Sequence, residues 1–199
     1  MPVPEPRDER IGFQAGSGDR GRPRRVPLIG LLFMVALLST ACDTPRPVTL
    51  GFIGGLSGRV TDLGSNARNG MLLAVEEVNA RGGIDGVPVQ TLIRDDKQDP
   101  DTARGAVREL IDARVDAIIG PVTSVIAMAV LDLVNQSRTL MIGVSTTTNE
   151  LSDRDDHFIR VLSPTAHYTD KFARYLHGQQ GIRTYAVIYD TVNHSYTES

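Results

Sequence analysis

The sequence predicts an α/β fold built on a parallel sheet. Three observations predict it. Short apolar runs suited to strands alternate with longer stretches whose apolar residues fall at helical spacing. Several strand-like runs end in loops of glycine, proline and hydroxyl residues, the punctuation expected where a chain turns. No internal repeat or low-complexity segment competes with this pattern after Cys42. Strand–helix–strand units give parallel sheets covered on both faces.

The elements follow in order. Val48 to Ile53 reads as a strand that runs into Gly54-Gly55. From Ser65, the residues Ala67, Met71, Ala74, Val75 and Val78 make one helical face, closed by Arg81-Gly82-Gly83. Val87 to Ile93 is the next strand, with Val87, Val89 and Leu92 as its buried residues. Asp99-Pro100 supplies an N-cap and a first-turn proline; Ala103, Ala106, Val107, Leu110 and Ile111 form the apolar face behind it. Ala117 to Ile119 is a third strand, and Ser124 is placed to cap a helix through Ile126–Val134. Leu140 to Val144 and Phe158 to Leu162 are the fourth and fifth strands. A helix over Ala166–His177 and a sixth strand over Tyr185–Tyr189 complete the pattern.

The first 41 residues read differently. Arg20, Arg22, Arg24 and Arg25 precede an apolar run from Leu28 to Leu38, and small residues lead to Cys42. That order is a secretory signal, and the run is about half the roughly 20 residues a spanning helix needs. Leu38-Ser39-Thr40-Ala41-Cys42 resembles a bacterial lipobox, which implies lipidation of Cys42 and attachment to the membrane on its extracytoplasmic side, in the periplasm where there is one. Residues 1–41 are the expected leader and 42–47 a tether. From Cys42 onward 15 basic and 20 acidic residues leave a formal charge of −5. A mildly acidic chain with 5% aromatic residues argues against nucleic-acid binding.

Ligands of such sheets sit beyond the carboxyl ends of the strands. Three of those loops are rich in small or hydroxyl residues: Gly54–Gly58, Gly120–Ser124 and Ser145-Thr146-Thr147-Thr148. Hydroxyls and free backbone amides there give directional hydrogen bonds, and a helix beginning at Ser124 brings a positive dipole end suited to a carboxylate.

The ordered blocks GFIGGLSG (51–58), AVEEVNARGGI (74–84), DDKQDP (95–100), Ile119-Gly120-Pro121 through Ser124, and Ser145–Thr148 resemble the branched-chain amino-acid-binding family of type I periplasmic solute-binding proteins. The resemblance runs from about Val48 to about Tyr196. It implies a two-lobed clamshell that closes on a small solute by hinge motion and delivers it to the permease and ATPase subunits of an ABC importer. It implies residues 48–162 as the first parallel-sheet lobe (periplasmic-binding-protein-like I) and 163–199 as the truncated start of a second, similar lobe. Ser124, Ser145 and Thr147 match positions that bind the solute's carboxylate and ammonium groups, with Thr146 in the same loop. Leu63 matches a position that lines the pocket. His194 lies where the second lobe contributes, and Asn193 and Tyr196 stand in an Asn-x-x-Tyr-Thr-Glu pattern seen in relatives. The resemblance implies no cofactor and no metal. Members of the family run to roughly twice this length, so a truncated, non-functional fragment is one alternative expectation; a ligand-sensing module for a signalling receptor is another.

Other chemistries fit poorly. Asp95, Asp96, Asp99 and Asp101 lack the spacing, glycine and distal glutamate of a calcium loop. The glycines at 51, 54, 55 and 58 miss the dinucleotide spacing, and no phosphate-binding lysine follows. Gly143-Val144-Ser145 has Thr147 where a nucleophile elbow needs glycine, so Ser145 lacks the setting of a hydrolase and the chain reads as a binding protein rather than an enzyme. His157, His167, His177 and His194 are scattered, without metal-ligand spacing.

Overall fold

A computed structural model describes residues 46–199. The leader expected over 1–41, the lipidation site Cys42 and most of the tether over 42–47 lie outside the described residues. Eleven elements follow in order: β1 (Val48–Gly54), α1 (Thr61–Ala80), β2 (Val89–Asp95), α2 (Pro100–Asp112), β3 (Ala117–Ile119), α3 (Ser124–Ser137), β4 (Leu140–Gly143), a 3-10 turn (Asn149–Leu151), β5 (Phe158–Arg160), α4 (Thr165–Gly178) and the single turn α5 (His194–Thr197). The five strands form one sheet in the order β2-β1-β3-β4-β5. Every neighbouring pair is parallel. No helix among the described residues is long and apolar enough to cross a membrane.

The local chemistry explains the joins. The Asp99 carboxylate accepts from the Thr102 amide at 2.7 Å and starts α2 ahead of Pro100. At the end of α1, the Asn79 side chain donates to Val89 O and accepts from Val89 N, each at 2.8 Å, so the helix grips the first residue of β2. Gly83 stands between them at φ +80°, where a Cβ would lie 2.0 Å from Val87 O; only glycine fits.

The two faces of the sheet are not equivalent. On one, Ile53, Ile118, Met141 and Phe158 pack against Ala103, Val107 and Leu110 of α2 and Ile126, Val130 and Val134 of α3, with little or no exposure. Gly51 leaves room there for Leu110, whose methyl carbons would lie 3.1 and 3.2 Å from an added Cβ. On the other, α1 crosses β1 and β2, leaving an apolar cavity of about 480 Å3 between Met71, Val75 and Val78 of the helix and Leu50, Ile119 and Ile142 of the strands. Cover on both faces was the expectation; among the described residues the second face is covered only in part.

Four further details differ from the sequence reading. α1 starts at Thr61, before the first apolar residue of its face. β2 runs Val89–Asp95, displaced toward the acidic turn, because Val87 is taken up in a tight bridge with Ile84. Ser124 does not cap α3: Thr123 is the N-cap, and Ser124 is the first helical residue. The sixth strand does not form. Residues 185–189 have no strand conformation and stand exposed, Ile188 at 98%. A strand needs a ladder partner for its amides and carbonyls, and none of the described strands lies beside this segment. α4 is similarly bare, with no buried residue and Phe172 63% exposed.

Leu110 is fully buried between β1 and α3. Leu110→Ala is expected to lower unfolding stability by about 2–5 kcal/mol, read from the urea midpoint at an unchanged slope.

Candidate functional site

The carboxyl ends of the strands bring the predicted loops together. β1 delivers Gly54–Gly58, β3 delivers Gly120–Ser124, and β4 delivers the hydroxyl loop after Gly143. The Ser124 side chain is 1% exposed, and its Oγ accepts from the amides of Thr147 and Thr148 at 3.2 and 3.3 Å. Two of the three loops are thereby joined at one atom. With Oγ accepting two amides, the hydroxyl proton of Ser124 remains available as a donor.

The hydroxyls of Ser145 and Thr147 are engaged in the protein itself, and that of Thr146 is not. Ser145 Oγ donates to Val122 O. Thr147 is buried; its carbonyl accepts from the Thr165 amide at 2.7 Å and the Thr165 hydroxyl at 2.9 Å, and the two hydroxyls lie 3.1 Å apart. Thr146 is fully buried and its Oγ1 has no hydrogen-bond partner. Gly143 supports the turn, since an added Cβ would lie 2.3 Å from Thr146 Oγ1 and 2.6 Å from Phe158.

The remaining candidates are distributed unevenly. Asn193 Oδ1 accepts from the Val125 amide at 3.2 Å, so it sits on the first turn of α3, beside Ser124. His194 opens α5 and is exposed. Tyr196 is 46% exposed and borders a different, small recess with Thr165 and Tyr189. Leu63 is 42% exposed in the first turn of α1. The apolar cavity beneath α1 contains none of these side chains. Its lining is aliphatic apart from Asn66 and offers no charged group to a charged solute, so the hydroxyl cluster is the better candidate.

Two contributors carried no signal in the sequence. Thr165 meets Thr147 only because β5 returns the chain to that edge. Arg59 pairs with Asp190 at 2.7 Å, linking the β1 loop to the segment that carries Asn193. Neither belongs to a local motif; each partner lies far off in sequence. Thr148, the last residue of the hydroxyl loop, is buried, with its carbonyl accepting from Arg160 at 2.6 Å.

Charge in the site is confined to its rim. Burial alone would raise the Asp95 carboxyl, but hydrogen bonds from the Ser57 hydroxyl and the amides of Lys97 and Leu56 outweigh it and hold Asp95 below its ordinary value. Asp190 is also held low, chiefly by the Arg59 hydrogen bond. Among the described residues no group of three or more His, Cys, Asp or Glu is placed to hold a metal ion.

Comparison with known proteins places these features in a family. A family model described as periplasmic binding protein matches residues 47–198. A Leu/Ile/Val-binding protein of Rhizobium johnstonii is 32% identical over 121 residues, covering 61% of this chain and 33% of the relative. A Leu/Ile/Val-binding protein homolog of Brucella melitensis is 26% identical over 164 residues, covering 82% and 45%. The crystal structure of a branched-chain amino acid transporter substrate-binding protein from Streptococcus pneumoniae, in complex with isoleucine, superposes with a TM-score of 0.65 at 25% identity, covering 68% of this chain and 39% of that one. The chain therefore spans a third to under half of the length of these relatives.

Two outcomes test the geometry. Ser124→Ala leaves the buried amides of Thr147 and Thr148 without an acceptor and is expected to cost about 1–3 kcal/mol, read by urea unfolding. The depressed Asp95 gives stability that is complete above the ordinary carboxylate value of 3.8 and is lost as the pH falls through the lowered native value. Asp95→Asn is expected to flatten that part of the stability-versus-pH curve.

Proposed function

We propose, from the premise that the chain belongs to the periplasmic binding protein family, that it is the extracytoplasmic solute-binding component of an ABC importer. Its solute is an amino acid or a similar small polar molecule. The observation that carries the reading is the convergence on Ser124: a buried hydroxyl with a free proton, at the first turn of α3, held by the hydroxyl loop that follows β4.

The chemistry is recognition without reaction. A carboxylate entering at α3 accepts hydrogen bonds from the Ser124 hydroxyl and the first-turn amides, where the helix dipole favours negative charge. The Asn193 oxygen that now accepts from Val125 is the neutral group such a carboxylate displaces. Ser145, Thr146 and Thr147 provide the oxygens that face the ammonium group. Leu63 and the segment through His194 and Tyr196 form the outer wall, and the half of the cleft contributed by a second lobe completes it. Permease and ATPase subunits are the protein partners, and lipidation at Cys42 holds the chain at the membrane. What supports these finer points is the leader pattern, the order of the family blocks and the similarity to Leu/Ile/Val-binding proteins.

The test is a thermal-stability screen of the full chain against L-amino acids and small carboxylates. A solute at a hundred times its dissociation constant is expected to add about 2.7 kcal/mol of stability. Ser124→Ala combined with Thr147→Ala is expected to weaken that solute by about tenfold to a hundredfold, measured by calorimetry well below the variant's melting temperature. Unchanged affinity in the folded double variant refutes the site.

A further inference from the structure

We propose that Asp96 is a positioning residue for the solute cleft: it orients Gln98, Gln98 holds Thr123, and Thr123 fixes the first turn of α3 on which Ser124 stands. The link to solute affinity rests on the reading above; the link to α3 does not.

Asp96 follows the last residue of β2 and is fully buried. Its amide donates to Gly54 O at 3.1 Å, pinning it to the end of β1. Its Oδ1 accepts from the backbone amide of Gln98 at 2.8 Å and from the Gln98 side-chain amide at 2.9 Å. Gln98 Oε1 in turn accepts from the Thr123 hydroxyl at 3.0 Å. The Gln98 amide thus has one orientation only, with its NH2 toward the carboxyl and its oxygen toward the threonine. The Gly54–Gly58 loop closes over it: a Cβ at Gly55 would lie 2.9 Å from Gln98 Nε2.

Two features mark this as more than filler. Thr123 is the N-cap of α3, yet its side chain makes no capping bond; its hydroxyl is diverted to Gln98. Lys97 and Gln98 are held at φ 52° and 56°, a conformation that side-chain-bearing residues adopt only when the surroundings impose it. The second carboxyl oxygen of Asp96 is buried without a partner, so the arrangement keeps a polar group in the core at a cost. What it secures is the link between the paired ends of β1 and β2 and the start of α3.

The test is amide hydrogen exchange on the full chain without solute, comparing Ser124–Ile126 with Val130–Val134 in the same helix. Asp96→Ala and Thr123→Val are each expected to speed first-turn exchange about three- to tenfold while the middle of the helix is unchanged. Asp96→Asn keeps Oδ1 and is expected to stay within about twofold of the parent. Binding of L-leucine, read by calorimetry on the same variants, is expected to follow the same order. Uniform acceleration along α3, no effect of Thr123→Val, or an Asp96→Asn variant as perturbed as Asp96→Ala overturns the proposal. Should Asp96→Ala not fold, Thr123→Val decides. If the parent chain ignores leucine but the exchange pattern holds, the positioning network stands and the choice of solute fails.

Discussion

A parallel strand has to find a neighbour on each side or stand at an edge, and its connection to that neighbour has to cross a face of the sheet. Most of this structure follows from that constraint. β1 is central, hydrogen-bonded to β2 on one side and β3 on the other. The crossovers through α1, α2 and α3 return every strand in the same direction. All the loops that leave the strands therefore collect at one edge, and this gathers Gly54–Gly58, Gly120–Ser124 and Ser145–Thr148 from nearly a hundred residues of chain. The same constraint accounts for 185–189: an apolar run with no adjacent strand forms no strand and stays exposed.

The polar edge and the apolar cavity have separate roles. The cavity under α1 is a packing feature, the place where one helix spans a face wide enough for more. At the edge Ser145 and Thr147 are bonded to backbone carbonyls or a neighbouring hydroxyl, whereas Thr146 Oγ1 has no partner. Such bonding is compatible with recognition, because each hydroxyl both donates and accepts. Ser124 uses its oxygen lone pairs on two amides and keeps its proton. Asn193 holds the Val125 amide with a neutral oxygen.

Much of this fold was legible in the sequence because it is encoded locally. The face of α2 through Ala103, Ala106, Val107 and Leu110 is a periodic signal, and Asp99-Pro100 is a capping signal; the structure has both as read. The alternation of strand-like and helix-like stretches carried the fold class, and the family blocks agreed with it. The misplacements have physical causes. Val87 has the side chain of a strand residue but is held in a bridge with Ile84 by the glycine turn. Ser124 has the side chain of a cap but stands one residue inside the helix, where its oxygen serves Thr147 and Thr148. Contacts such as Thr147 with Thr165, or Arg59 with Asp190, join residues far apart in the chain, and no local pattern announces them.

Asp95 and Asp96 show how far a single residue step decides chemistry. As a sequence they are one acidic pair in a charged loop. In the fold, the carboxyl end of β2 turns them to opposite environments. Asp95 faces the β1 loop at the rim, takes hydrogen bonds from Leu56, Ser57 and Lys97, and is held ionised below its ordinary range. Asp96 faces inward, where burial raises its carboxyl despite the two hydrogen bonds from Gln98. Period-two alternation at a strand end is enough to produce this split. One carboxylate organises the glycine loop from outside, and the other organises Gln98 and Thr123 from within. The glycine loop after β1 and the start of α3 are thereby tied to two adjacent residues, the last of β2 and the one after it, a strand away from the hydroxyls of the polar edge.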